Sequence, residues 1–237
     1  MSPHLQMHWI RHGRVASHQG DIPITTDALE QGEAVGRQFA EQIHADEQTF
    51  VLYAPTRRTR ETAHAIHRGI ETTLSNADVR RGQVFAPEEH PAVRNPDLYV
   101  GGKRVEMVSS PQAMAEQTRS HGIDEERLVQ VPFLRGFWAS PDRIGYWVSH
   151  ADPPGEDADT VARRVLIFAT SLLHLPPAQP RRYICVTHSP VMRAFLRRYL
   201  LGHDPGEPDY GEAIDMLFAA SGALTLRFRE ASVTLPE

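Results

Sequence analysis

Leu5-Gln6-Met7-His8-Trp9-Ile10-Arg11-His12-Gly13 is the stretch whose reading decides the fold. Apolar and polar residues alternate from Leu5, the run turns wholly apolar at Trp9-Ile10, and it then breaks into two basic residues and a glycine. This predicts a first strand over Leu5–Ile10 with Arg11-His12-Gly13 on the turn at its carboxyl end. Downstream, Ala28, Leu29, Ala34, Val35, Phe39, Ala40 and Ile43 recur at helical spacing and predict a helix. Phe50 to Tyr53 reads as a short strand and Thr59 to Ile70 as a helix, so Ala54 to Arg58 is again a strand-to-helix turn.

Residues 83–155 break the alternation: proline, glycine, aromatic and charged residues mix without a sustained period, apart from a helix around Gln112 to Ser120. The segment reads as an insertion within one domain spanning 1–237. Regularity returns with a helix near Asp157 to His174, a strand at Tyr183 to Thr187, a helix at Pro190 to Leu201 and a last strand near Ala223 to Phe228. Alternating β and α elements predict a layered α/β sheet whose ligands gather at the carboxyl ends of the strands.

Composition narrows the function. Of 237 residues, 41% are hydrophobic and 23% charged, as expected of a globular chain, and no apolar run approaches the roughly 20 residues that cross a bilayer. Met1 to Met7 lacks the features of a signal peptide, so a cytoplasmic location and no membrane partner are expected. The single Cys185 sits in the apolar run Tyr183-Ile184-Cys185-Val186 and cannot form an internal disulfide. A net charge of −5 offers no basic field for nucleic acid, which leaves a small molecule as the expected partner. Thirteen histidines are scattered, and the one close pair, His64 and His67, lacks a third ligand nearby, so no metal and no cofactor are expected. Apolar residues expected to be exposed near the last strand are compatible with a homodimer.

Three turns at strand ends carry Arg11-His12-Gly13, Arg57-Arg58 and Thr187-His188-Ser189. Converging, they would form an anion pocket: guanidiniums match the equatorial oxygens of a phosphoryl group, and an imidazole held between them can attack phosphorus. The amino ends of the following helices add backbone N–H groups.

On these motifs the chain resembles the histidine phosphatase superfamily, the phosphoglycerate mutase-like family. Arg11-His12-Gly13 matches its Arg-His-Gly, with His18 at the position of a substrate contact. Asp21-Ile22-Pro23-Ile24-Thr25 is similar to its Asp-x-Pro-Leu-Thr turn, and Ala54-Pro55-Thr56-Arg57-Arg58-Thr59-Arg60-Glu61-Thr62-Ala63 to its second arginine motif. Gly155-Glu156 resembles its Gly-Glu before a helix, and His188 its second histidine. The resemblance implies a three-layer α/β/α sandwich with a mostly parallel central sheet and an inserted cap at 83–155. It also implies metal-independent transfer of a phosphoryl group from a small phosphorylated substrate to His12, giving a phosphohistidine, with Arg11, Arg58 and His188 on the phosphate. Arg58 rather than Arg57 is the implied phosphate ligand. The implied proton donor lies in the insertion. Asp97 in Asn95-Pro96-Asp97-Leu98-Tyr99-Val100-Gly101-Gly102 is its counterpart, ahead of Glu88 and Glu89, and serving as an acid near pH 6 requires its pKa to rise.

Competing readings are a phosphoglycerate mutase-type phosphotransfer, for which no tandem arginine is present in the matching stretch, and a noncatalytic phosphate-binding protein on the same fold. Asp157-Ala158-Asp159-Thr160-Val161 fits an aspartyl-nucleophile signature but follows Pro153-Pro154-Gly155-Glu156 instead of an apolar strand, and so suits a helix start. The first arginine after Cys185 is Arg193, too distant for a cysteine-phosphatase loop. Lys103-Arg104 is either a second anion clamp or a solvated turn. Trp138, Tyr146 and Trp147 either line the pocket mouth or pack the insertion onto the sheet.

Overall fold

A computed structural model describes residues 5–17, 21–75, 82–174, 179–219 and 221–235. In chain order, the first half holds β1 (Leu5–Arg11), α1 (Thr26–Gln42), β2 (Gln48–Tyr53), α2 (Arg57–Ser75), β3 (Gln83–Val84), β4 (Glu88–Glu89), β5 (Leu98–Val100) and β6 (Lys103–Val105). The rest holds α3 (Pro111–Thr118), α4 (Glu125–Leu128), α5 (Pro132–Ala139), α6 (Arg143–Ser149), α7 (Ala158–Ser171), β7 (Arg181–Thr187), α8 (Ser189–Leu196), β8 (Ala213–Phe218), β9 (Leu224–Phe228) and β10 (Ala231–Leu235).

Among the described residues the main sheet runs β10-β9-β8-β1-β7-β2-β3, with β4 also on β2. The pairs β1–β7, β7–β2, β2–β3 and β2–β4 are parallel, while β1–β8, β8–β9 and β9–β10 are antiparallel. The parallel half follows from the βα connections, whose crossovers return each strand in the same direction. The antiparallel meander at the carboxyl terminus extends beyond the one last strand expected from sequence.

Strand periodicity sorts the core into two layers. On one face Ile10, Val51, Ile184 and Val186 pack with Phe39 and Ala40 of α1 and with Ala63, Ile66 and Ile70 of α2. On the other, Met7, Trp9, Leu52 and Cys185 pack with Val161 and Val165 of α7 and Val191 and Phe195 of α8. The insertion shares this second core through Val93, Leu98, Met114, Phe133, Phe137 and Trp147. The architecture is an α/β fold in which a mixed, largely parallel sheet is flanked by helices. No helix of the described residues is long and apolar enough to cross a membrane.

The segment predicted to interrupt the alternation at 83 stays with the sheet longer than expected, because β3 and β4 both pair with β2. It leaves only after Glu89, and its far end returns beside its near end: Leu98 bridges Gly155, and the Tyr99 amide donates to the Pro154 carbonyl at 2.7 Å. Gly155 adopts φ +146°, and a Cβ there would lie 2.1 Å from the Asp97 carbonyl oxygen, so only glycine allows this approach. The helix predicted over Pro190–Leu201 ends as α8 at Leu196 and continues as a π turn, Arg197–Leu201. The large hydrophobics exposed among the described residues, Tyr99 and Ile167, lie on β5 and α7 and not on the last strand.

Candidate active site

β1 and β7 lie side by side in parallel, so the turns that follow them emerge at one edge. The His12 amide donates to the Thr187 carbonyl at 3.0 Å, which brings His12 beside the residue preceding His188. The two imidazoles stand 5.2 Å apart, centroid to centroid, at 66°. Gly13 donates its amide to Thr62 Oγ1 at 2.9 Å, and a Cβ at Gly13 would meet the Ala28 methyl at 2.9 Å. Thr62 Oγ1 in turn donates to the Arg58 carbonyl at 2.7 Å, tying the histidine turn to the first turn of α2.

Two hydrogen bonds assign the ring protons. His12 Nδ1 lies 2.8 Å from the Gly13 carbonyl oxygen, which can only accept, so Nδ1 carries the proton and Nε2 carries the lone pair. Arg58 Nη2 lies 3.3 Å from His188 Nδ1; a guanidinium can only donate, so the proton of neutral His188 is on Nε2. One histidine is thereby arranged as a nucleophile and the other as a donor.

Arg11, His12, Arg58 and His188 together line a cavity of about 440 Å³. His12 and His188 are 4% and 2% exposed. Arg11 donates to the Pro208 carbonyl, pairs with Glu207 at 3.0 Å and lies 4.1 Å over the Tyr210 ring. Burial draws the Arg58 guanidinium below its usual range, partly offset by the charges of Glu106 and Asp21. The buried Nε atoms of Arg11 and Arg58 have no hydrogen-bond partner among the described residues. Unspent buried donors on two cations favour a multivalent oxyanion.

Arg57 faces elsewhere: its amide donates to Asp21 Oδ1 and its Nε to Glu61 Oε1. His18 lies outside the described residues. Lys103 and Arg104 do not line the cavity; Arg104 instead pairs with Asp97 and with Glu106. Trp138 donates Nε1 to the Val108 carbonyl, fully buried Trp147 donates to the Glu156 carbonyl, and Tyr146 packs on Phe133, so all three serve packing. Asp157 caps α7, its Oδ1 accepting from the Thr160 amide, as its place before a helix predicts. Burial pushes the Cys185 thiol far above its ordinary value, which leaves no thiolate for chemistry.

Asp97 is not brought to the cavity. Its carboxylate is held by Arg94 at 2.7 Å and by Arg104. Burial alone would raise its pKa, but hydrogen bonds from the two guanidiniums outweigh burial and hold the carboxyl below the usual range. The expectation of a raised pKa is therefore corrected: two cations stabilise the charged form, the opposite of what a proton donor needs. Glu88 and Glu89 are exposed on β4 and do not line the cavity either.

Asn95, two residues earlier, is what reaches the cavity. Its placement comes from Glu156, which accepts from the Asp97 amide at 2.8 Å and pairs with Arg94 and Arg164. The remaining wall comes from the insertion, where Met107, Val108, Phe137 and Ile144 are apolar and Ser109 and Arg143 polar. Glu207 and Asp142 join the rim, both bound to Arg193, which is completely buried on α8. These residues carry no motif; the only local signal was the Asp142 side chain capping a short helix.

Residues 4–78 match the family model described as histidine phosphatase superfamily (branch 1). A structure of mycobacterial glucosyl-3-phosphoglycerate phosphatase with inorganic phosphate superposes with a TM-score of 0.56 over 94% of each chain at 13% identity. Phosphoglycerate mutase from Bacillus anthracis str. Sterne gives 0.56 over 94% of this chain and 92% of its own, at 13% identity. A structure named mycobacterial hydrolase 1 gives 0.56 over 94% and 95%, at 13% identity. No curated protein matches the sequence. At such identities the structural likeness speaks for the fold, and it is the amino-terminal third, with His12 and Arg58 in it, that carries the signature of the histidine phosphatase superfamily, branch 1.

Proposed function

We propose that the chain is a phosphomonoesterase that passes the phosphoryl group of a small phosphorylated substrate through His12. The observation that carries this reading is the His12 tautomer: the Gly13 carbonyl accepts a hydrogen bond from Nδ1–H and leaves the lone pair on Nε2 as the nucleophile, in a cavity lined by buried Arg11 and half-buried Arg58. Arg11, Arg58 and the Nε2–H of His188 hold the transferring group and offset its charge as it loosens, a task that metal ions perform in many other phosphoryl-transfer enzymes. No step requires one here, since these residues supply the positive charge.

The test is release of inorganic phosphate from a chromogenic phosphomonoester, together with acid-labile, base-stable labelling of His12. Full activity in His12→Ala ends this reading. Binding without labelling or product supports the noncatalytic alternative, and isomerisation of phosphoglycerate without net phosphate release supports the mutase alternative.

A further inference from the structure

Asn95 is 4% exposed, lines the cavity and donates its Nδ2 to Glu106 Oε2 at 3.1 Å. A carboxylate can only accept, so this contact orients the amide and leaves Oδ1 as its other polar atom, buried and with no hydrogen-bond partner among the described residues. An amide has no proton to give to a departing oxygen near neutral pH. The carboxylates around it are committed elsewhere: Glu106 to Asn95 and Arg104, Asp142 to Arg193, and Glu207 to both Arg11 and Arg193. Met107, Val108, Phe137 and Ile144 of the insertion give the cavity wall an apolar stretch, beside polar Ser109 and Arg143.

Resting on the phosphohistidine reading above, we propose that the cavity takes phosphomonoesters of acidic, apolar alcohols, of which aryl phosphates are the type, and that Asn95 accepts a hydrogen bond from the attacking water. In the first step the Nε2 lone pair of His12 forms the N–P bond as the P–O bond breaks, and the electron pair leaves on an aryloxide that is stable without a protein proton. In the second, water forms the new O–P bond, the N–P pair returns to Nε2, and the excess proton passes to solvent. His12 departs as a neutral imidazole because Nδ1 keeps its proton on the Gly13 carbonyl, so this step needs no acid either.

The test is kcat/KM across a series of aryl and alkyl phosphates of graded leaving-group pKa, with His12 labelling measured alongside. The expected result is a steep dependence, a loss on the order of tenfold per pKa unit, because no general acid, ordinarily worth about 10²–10⁴-fold, levels the series. Asn95→Asp places a second carboxyl beside Glu106; such a pair shares a proton, and alkyl phosphates are expected to gain about 10-fold or more as the dependence flattens. A shallow dependence in the unaltered protein overturns the proposal, as does one that becomes steep in Glu106→Gln or Glu207→Gln, since that variant would have removed the acid. If Asn95→Asp does not fold, the unaltered protein's series still decides. Failure of His12 to label with any ester would instead sink the phosphohistidine reading beneath it.

Discussion

The carbonyl oxygen of Gly13 stands 2.8 Å from Nδ1 of the neighbouring His12, so a main-chain atom one residue away selects which ring nitrogen keeps its lone pair. The phosphorylated species is therefore expected to be the Nε2 isomer, identified by 31P and 1H–15N NMR of the trapped intermediate. His12→Ala is expected to lose turnover entirely while keeping its melting temperature within a few degrees. Phosphate on Nδ1 would contradict the tautomer argument.

Arg58 meets His188 at 3.3 Å and keeps a buried donor unspent. Arg58→Ala is expected to lower kcat/KM by about 10²–10³-fold, the range for removing one transition-state donor. Arg57→Ala, whose side chain turns to Glu61, is expected to change it by less than about threefold, the scale of a surface ion pair. Steady-state kinetics of the two variants side by side check both statements.

Arg193 is completely buried and bonded to Asp142, Asp204 and Glu207, which joins α6, α8 and the segment before Pro208. Burial opposes its charge, but the hydrogen bonds it donates to Asp204 and Asp142 prevail and raise its pKa above the ordinary arginine value. Arg193→Met is expected to cost about 3–5 kcal/mol in urea unfolding, the usual consequence of breaking a buried ionic group. Because α6 forms part of the cavity wall, KM is expected to rise more than kcat falls.

The carboxyls of Asp142, through its hydrogen bonds from Arg193, and of Asp97, where the bonds from Arg94 and Arg104 outweigh burial, lie below their ordinary values. A carboxyl depressed in the folded state stabilises fully above its unfolded pKa of about 3.9 and loses that contribution as pH falls through the lower folded value. Melting temperature is therefore expected to drop below about pH 4, and Asp97→Asn to be less stable at pH 7 with a flatter acid limb. An acid limb of unchanged steepness in that variant would show that Asp97 does not contribute.

What was legible in the sequence is what local pattern controls. β1, β2, β7 and the helices α1, α2 and α7 were readable because each presents one apolar period to one core layer. β8 was missed because its alternation includes Asp215, whose carboxylate takes a hydrogen bond from His8 across the strand pair, and β10 because it buries little. His12, Arg58 and His188 were legible because each sits where a strand gives way to a turn. Asn95 in the cavity wall was not, since it carries no motif and its neighbour Asp97 is held by its amide on Glu156, some sixty residues along the chain.

The zipper formed by Leu98 with Gly155 and Tyr99 with Pro154 makes the intervening stretch a loop closed at its neck. Once a neck is pinned, doubling the length beyond it adds only about 0.6 kcal/mol of closure entropy. Length changes in the exposed turns of residues 100–153 thus cost little closure entropy, while buried Met114, Phe137 and Trp147, and Asp142 paired with Arg193, tie the stretch to the core. The neck sets how much length the stretch tolerates, and the buried contacts set what any replacement must still supply, apolar cover for α7 and α8.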